Sequence, residues 1–388
     1  MAERWRILAA LTLARVAMAL AFQSVAALAP PMMAAAGLGW GEVGVLVGAF
    51  MAPGVVASLA GGWLGQRFGA GRVAVAGLLI MGLSGLAMAA AAGFPALLAA
   101  RLGVGVGAVA LNVMLTKMAA DWFPGRDLPT AMGVLSSSWP LGIALALVAL
   151  PPAGEALGWR AAFAGNAALG LLAAAMLAVA WRAPPDAAPP GRLQGGLSGR
   201  EVALTLLAGL VWGLYNAALV SVLAFGADLL AARGRDPVTA AAAISTVSWA
   251  CLATIALGGW AAARSGRPDL VTALSLSITA AGLAVLAAAE TGAATPALLI
   301  LIGLAFGPAA GPVLALTGRI ARPEARALAM GVFFALYYAV FGGGPALAGW
   351  LREATGAPEA PILAAVAMLL LALPLYAAFR LARPAVSA

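Results

Sequence analysis

The chain has no histidine, one cysteine and one lysine in 388 residues, and only 9% of its residues are charged. Without histidine it has no side chain whose ordinary pKa lies between pH 5 and 8, and no imidazole to bind a metal. The single Cys251 excludes an internal disulfide and any multi-cysteine metal centre. No ligand cluster asks for a metal or a cofactor, so none is expected, and with no buried acid–base pair an enzyme is not expected either. The scarcity of charge is informative in itself. With 64% hydrophobic residues and a mean hydropathy of +1.02, the chain could not fold in water without exposing most of its apolar side chains. It reads as an all-α, polytopic membrane protein whose main partner is the lipid bilayer. The net charge of +8 does not point to nucleic acid, because the arginines stand singly between apolar runs instead of forming a basic face.

What the chain does have is a repeat. Gly61-Gly62-Trp63, followed by Arg67 and Gly69, returns as Gly258-Gly259-Trp260, followed by Arg264 and Gly266, an offset of 197. Ala131-Met132-Gly133-Val134 returns as Ala329-Met330-Gly331-Val332, an offset of 198. Two matches at nearly one offset imply a tandem duplication. At about 20 residues per spanning helix the length holds about twelve helices, six per repeat. The expected helices are Ile7–Ala29, Val43–Leu64, Val73–Ala92, Pro95–Ala119, Thr130–Leu150 and Ala161–Trp181, then 201–226, 238–262, 269–289, 295–317, 327–350 and 361–380. Arg4 and Arg6 before the first run, and Ala27-Leu28-Ala29 within it, look like a secretory signal. Pro30 after the triplet and Arg15 inside the run argue for a retained helix. A Pro/Gly-rich stretch at 183–199 reads as the linker between an N-terminal bundle, 1–182, and a C-terminal bundle, 200–388. Fifteen arginines fall on the side of the termini and four, Arg160, Arg233, Arg235 and Arg352, on the other. The positive-inside rule then places both termini and the linker in the cytoplasm, and a bacterial inner membrane is the expected location.

Cations inside the apolar runs carry the search for a site, since one at a helix centre costs roughly 2.5–3.5 kcal/mol on insertion scales. They are Arg15 in helix 1, Arg101 in helix 4 and Lys117 near the end of helix 4, whereas every Asp and Glu falls in a loop or at a helix end. Arg101 and Asn112 share a helical face and Thr116 extends it, while Lys117 points away by roughly 160° and is expected to snorkel to the interface. Arg101 has two open readings, a brace between helices or a substrate grip. Arg15, mid-run and with no carboxylate in its own helix, reads as cavity-facing. At the repeat offset these cations meet Trp212, Leu299 and Ala315, so the shared scaffold does not demand them. Trp139 and Tyr337, at matched positions, could wall a cavity or fill an ordinary core. Tyr215, Asn216, Ser248, Trp249 and Tyr338 are further polar or aromatic candidates. Gly303, Gly307 and Gly311 form a flat stripe on helix 10, beside Pro308 and Pro312, which are expected to bend it; the Gly342-Gly343-Gly344-Pro345 run is read in the same way for helix 11.

On Gly62, Arg67 and Gly69 after helix 2, on Gly259, Arg264, Gly266 and Arg267 after helix 8, and on Arg101-x-x-x-Gly105 in helix 4, the chain resembles the major facilitator superfamily over essentially its whole length. Trp122-Phe123-Pro124 with Arg126, and Gly158-Trp159-Arg160, look like family loop residues. Where the family carries an aspartate in the repeated motif this chain has Gln66 and Ala263, so it lacks a charge that helps hold the cytoplasmic ends together in the family. The antiporter signature of helix 5 has only Trp139-Pro140-Leu141-Gly142 to match it. The resemblance implies two pseudo-symmetric six-helix bundles, a substrate site between them near the midplane, and transport by alternating access. Within the family the arginines in helices 1 and 4 look, loosely, like the arrangement in the sialin-like and sugar-acid organic anion carriers, which pair them with acids; here the neighbour of Arg15 is Ala14. The expected substrate is a small, organic anion gripped by Arg15, with Arg101 a second grip if it is not a brace, and the carrier is expected to act as a monomer. A drug or sugar exporter is the alternative, though a cation exporter should hold an intramembrane carboxylate. A non-transporting sensor is the alternative of another class, but Leu381–Ala388 is too short for a signalling segment. With no Asp, Glu or His at membrane depth, anion exchange or downhill efflux is expected over proton-driven uptake.

Overall fold

A computed structural model describes residues 2–57, 67–123, 128–182, 197–290, 292–314, 316 and 326–382, and all the regular structure among them is helical. Twelve helices are long and apolar enough to cross a bilayer: α1 Glu3–Ala27, α2 Trp40–Ala57, α3 Ala70–Ala90, α4 Phe94–Ala119, α5 Val134–Leu157, α6 Trp159–Ala180, α7 Gly199–Ala232, α8 Pro237–Ala262, α9 Pro268–Ala288, α10 Thr295–Leu314, α11 Leu328–Thr355 and α12 Ala360–Ala382. Helices are the natural outcome, because a segment in lipid must pair every backbone N–H and C=O internally. Most of the expected linker, 183–196, lies outside the described residues.

The packing carries the duplication into three dimensions. In the first half α1 packs on α5 and α6, and α3 on α4 and α6; in the second, α7 packs on α11 and α12, and α9 on α10 and α12. Adding six to each helix number turns the first set into the second. Between the halves α2 packs on α11 and α5 on α8, and these two contacts exchange under the same operation. The structure is therefore two six-helix bundles related by pseudo-two-fold symmetry. Small residues let backbones touch inside each bundle: a Cβ on Gly77 or on Gly107 would strike the other's carbonyl oxygen where α3 meets α4.

At the end opposite the termini the halves are sealed. A Cβ on Gly44 would strike the carbonyl of Pro345, one on Gly48 that of Gly342, and one on Gly349 that of Trp40. Gln23 of α1 donates to the Leu223 carbonyl of α7 at 2.8 Å. Glu353 of α11 accepts a hydrogen bond from the Gly41 amide at 2.6 Å, capping the first turn of α2 from the other half. Beside it, Arg352 pairs with Asp228 of α7 at 2.7 Å, and its guanidinium lies 5.8 Å from the Trp40 ring.

Several elements differ from the expected ones, each for a visible reason. The helix carrying α5 continues through Pro151 and Pro152 to Leu157 instead of ending at Leu150. α7 runs on from the expected 226 to Ala232, where Arg233 donates to the carbonyls of Leu286 and Ala287 and fixes the exit of the chain. α10 is interrupted beside Pro308 by a 3-10 turn at Gly307–Ala309. There the Ser275 hydroxyl of α9 is inserted into the helical ladder, donating to the Ala305 carbonyl at 2.5 Å and accepting from the Ala309 amide at 3.2 Å. Tyr215 of α7 donates to the next freed carbonyl, that of Phe306, at 2.8 Å. Around the break, Gly303 faces Val247 and Ala250, Gly307 faces Thr254, and Gly311 faces Gly259, so the glycine stripe seats α10 on α8. The helix carrying α11, by contrast, is unbroken across Gly342–Pro345, and there the glycines serve close approach alone.

Gly48 of α2 and Gly343 of α11 are glycines in opposite environments, one crowded and one open. Gly48→Val forces side-chain atoms into the Gly342 backbone and should lower the melting temperature of the purified protein, by an overpacking cost of about 1–3 kcal/mol. Gly343→Ala, with nothing within 4 Å of the new Cβ, should leave it unchanged or raise it, since alanine suits a helix interior better. Equal melting temperatures for the two variants would contradict the packing described.

Candidate substrate cavity

Between the bundles lies a cavity of about 390 Å³, within the range of small-molecule sites. Arg15 and Met18 of α1, Phe50 and Met51 of α2, and Asn112 of α4 line the first half's side, with Ser136, Ser137, Trp139 and Pro140 of α5. Trp212, Tyr215 and Asn216 of α7, Cys251 of α8, Gly311 of α10, and Tyr337 and Tyr338 of α11 line the other. Six of the seven expected site residues are thus brought together: Arg15, Asn112, Trp139, Tyr215, Asn216 and Tyr337. Among the lining residues Arg15 alone bears a charge.

Arg15 makes no hydrogen bond or ion pair with any described residue, and its Nε is buried without a partner. It shares the cavity lining with the phenols of Tyr337 and Tyr338. Aromatic rings build the walls. Tyr337 stacks on Trp212 with centroids 6.2 Å apart, and Trp212 on Tyr215 at 5.5 Å. Trp139 meets Phe22 at 5.2 Å, and Phe22 meets Phe341 of the other half at 5.8 Å, between the cavity and the seal. Asn112 Nδ2 donates across the interface to the Tyr338 hydroxyl at 3.3 Å. Asn216 is turned to its own helix, donating to the Trp212 carbonyl at 2.8 Å.

Arg101 is the exception and corrects the expectation of a two-arginine grip. Fully buried and absent from the cavity, it donates to the carbonyls of Leu46 at 2.9 Å, Ala21 at 2.7 Å and Phe22 at 2.6 Å, and packs 4.8 Å from the Phe50 ring. It ties α4 to α1 and α2. The glycine four residues on completes the device: a Cβ on Gly105 would strike the carbonyl of Phe50, just where the first segment of α2 ends. The Arg-x-x-x-Gly pattern is here a brace and a close contact on one helical face. Lys117 reaches Asp121 at 2.5 Å, one turn on along the same helix.

Of the repeated loop motif, Gly62 and Gln66 lie outside the described residues, as does most of the first copy. Gly69 at φ 84° and Gly266 at φ 64° occupy left-handed backbone that other residues avoid, which accounts for that glycine in both copies. Arg67 and Arg264 are exposed, their guanidinium groups 5.7 Å from the rings of Phe68 and Trp260. Gly259 lies against Gly311 of α10. Of the lesser candidates, Tyr338 lines the cavity, Ser248 is buried with its hydroxyl unpartnered, and Trp249 is 40% exposed and outside the cavity. Trp212 was missed, although it stands at the repeat position of Arg15; a residue whose counterpart faces the cavity should face it too. Ser136 and Ser137 carried no such signal, since serine is common on every face of a membrane helix.

Twelve spans in two symmetry-related bundles around a central cavity define the architecture of a secondary transporter. The model of the Major Facilitator Superfamily matches residues 11–227 and again 202–388, and the chain belongs to that family of transporters. Among curated relatives it is 28% identical over 131 residues to the hexuronate transporter of Bacillus subtilis (strain 168), a match taking in 34% of this chain and 31% of that one. It is 38% identical over 133 residues to the 3-(3-hydroxy-phenyl)propionate transporter of Escherichia coli (strain K12), across 32% and 30% of the two chains. The matches thus span about a third of each relative's length. A bacterial homologue of the human lysosomal transporter Spinster, inward-facing and unoccupied, has the same fold, with a TM-score of 0.77 at 18% identity over 99% of both chains. Its occupied form gives 0.76 at 18% identity, over 99% of this chain and all of that one.

The two arginines should respond differently to removal. Arg101→Leu should lower the melting temperature by the equivalent of about 1.5–3 kcal/mol, the worth of hydrogen bonds from a charged group. Arg15→Ala, which breaks no bond to the protein, should leave it unchanged or raise it. A thermal scan of both purified variants checks this.

Proposed function

We propose that this protein carries a small organic anion across a bacterial inner membrane by alternating access, with the carboxylate held by Arg15. One observation carries the reading: the single charge among the described residues lining the cavity is a guanidinium with no partner among those residues. A cation at such depth is costly and is retained where it meets something of opposite charge. Its planar donor fork suits a carboxylate through two parallel hydrogen bonds. The substrates named for the two curated relatives, a hexuronate and a phenylpropionate, are both carboxylates, which supports the same class. The aromatic walls offer a ring or chain apolar cover. A drug exporter for cations fits less well, because no acid lines the cavity, and an enzyme fits worse, because nothing there activates a nucleophile.

With fifteen arginines on their side, the termini and the 183–199 connection are cytoplasmic in this reading. The seal made by Gln23, Gly44, Gly48 and Glu353 is then the outer gate, closed, and the cavity belongs to the cytoplasmic side. In proteoliposomes Arg15→Ala should abolish flux of the transported carboxylate at normal folding, and Arg15→Lys should restore it only in part, because a point charge lacks the fork. Normal flux through folded Arg15→Ala would refute the site.

Coupling follows from the same inventory. Arginine stays protonated, and among the described residues no Asp, Glu or His lines the cavity, so none of these is suited to carry a proton through the cycle. Importing a monovalent anion alone against an inside-negative 100 mV costs about 2.3 kcal/mol, which at about 1.4 kcal/mol per decade holds the interior roughly fortyfold below the exterior. Exchange for an internal anion, or efflux, avoids that cost. An imposed pH gradient should therefore fail to drive accumulation of a strong-acid substrate, while anion loaded on the trans side should accelerate its flux. Accumulation on the pH gradient alone, in both wild type and Lys117→Gln, would rule the exchange scheme out.

A further inference from the structure

What the cavity can offer an acid beyond a countercharge depends on how its polar side chains are already spent. Tyr215, almost wholly buried, donates its hydroxyl to the Phe306 carbonyl at 2.8 Å. Asn112 gives its amide to Tyr338 at 3.3 Å, and its Oδ1 is buried out of a ligand's reach. Asn216 gives its amide to the Trp212 carbonyl. Among the described lining side chains, little remains beside Arg15 except the Tyr337 hydroxyl, the Asn216 oxygen and the two serines of α5. A sugar acid carries a hydroxyl on nearly every carbon, and each one enclosed without a partner costs affinity. This lining cannot match such a ligand. A second carboxylate fares no better, since Arg15 is the only charge in that lining and an unpaired buried charge is costlier still.

Ring faces, by contrast, are plentiful. In the second half Tyr215, Trp212, Tyr337 and Phe341 form a row of near-parallel rings, with successive angles of 18°, 28° and 30° between their planes. Trp212 and Tyr337 are the partly exposed members of the row that line the cavity. Each is held by its neighbours, so a ligand lying against them orders little that is not ordered already. An aromatic ring placed there in offset or edge contact gains more than the burial of its area.

Resting on the reading of Arg15 as the carboxylate's partner, we infer that the site selects aryl monocarboxylates over sugar acids and dicarboxylates. Arg15 takes the carboxylate, and the ring packs on Trp212 and Tyr337 of the other half. Trp212 is then a specificity-determining residue: it chooses among acids and does not bind the charge.

Four acids separate the terms: phenylacetate; cyclohexylacetate, which is as apolar but not planar; glucuronate, which is hydroxylated; and phenylsuccinate, which adds a second carboxylate. Binding is read by calorimetry on the full-length protein, with neutral phenylacetamide as the charge control. Phenylacetate should bind about tenfold tighter than glucuronate, whose hydroxyls go unmet, and about threefold tighter than cyclohexylacetate, the worth of a ring pair beyond burial. Phenylsuccinate should bind more weakly than phenylacetate. Trp212→Leu should bring phenylacetate down to the level of cyclohexylacetate, and Trp212→Phe, which keeps a ring, should retain most of the difference; if Trp212→Leu does not fold, Tyr337→Leu makes the same test. Glucuronate, cyclohexylacetate or phenylsuccinate binding as tightly as phenylacetate, or an aryl preference that survives the leucine variant, overturns the inference and leaves the anion reading standing. If phenylacetate binds no better than phenylacetamide and glucuronate no better than either, or if Arg15→Ala binds the acids as wild type does, the anion reading itself fails and the inference with it.

Discussion

A guanidinium in the membrane interior has to find oxygen, and the two arginines at depth in this chain find it in opposite ways. Arg101 takes three carbonyls from α1 and α2, and by doing so fixes where three helices of the first bundle cross. Once those helices are set, Arg15 on α1 and Asn112 on α4 are held at fixed places on the cavity wall. Arg15 is left without such oxygens, and the open space in front of it is the cavity. The contrast between a satisfied and an unsatisfied cation thus separates scaffold from site within a single bundle.

The seal obeys the same rule that polar backbone must be met inside the protein. α2 and α11 touch backbone to backbone at Gly44, Gly48 and Gly349. Contact of that kind is close or absent, which suits a gate with two positions. Glu353 adds a directional element, since its carboxylate sits at the positive end of α2 only while the halves are together. The break in α10 is the other preformed element. Ser275 and Tyr215 keep its released carbonyls paired, so the short segment after Ala309 is articulated without leaving bare polar atoms in an apolar surround.

Much of this could be read beforehand. The offsets of 197 and 198 between matched segments announced two equivalent halves, and Arg15 in an otherwise apolar run announced a polar cavity. Trp139 and Tyr337, matched by the repeat, do face that cavity together. Arg101 could not be resolved in the same way, because a brace and a binding residue share one sequence signature, an isolated cation on an apolar face. What separates them is which carbonyls come within 3 Å, and those belong to α1 and α2, some 55 to 80 residues away in the chain. The end of α5 was misjudged as well: the helix does not stop at Leu150 but runs through Pro151 and Pro152 to Leu157.

The duplication that shaped the scaffold is abolished at the one place where it would matter to a ligand. Arg15 on one wall corresponds to Trp212 on the other, so a protein with near two-fold symmetry encloses a chamber whose described lining is charged on one side only. A substrate with a charged head and an uncharged body has only one way round in such a chamber. The two bundles have consequently ceased to be interchangeable: under the proposed function the first would hold the charged head, and a mutation that put the same residue at both positions would erase the polarity of the chamber.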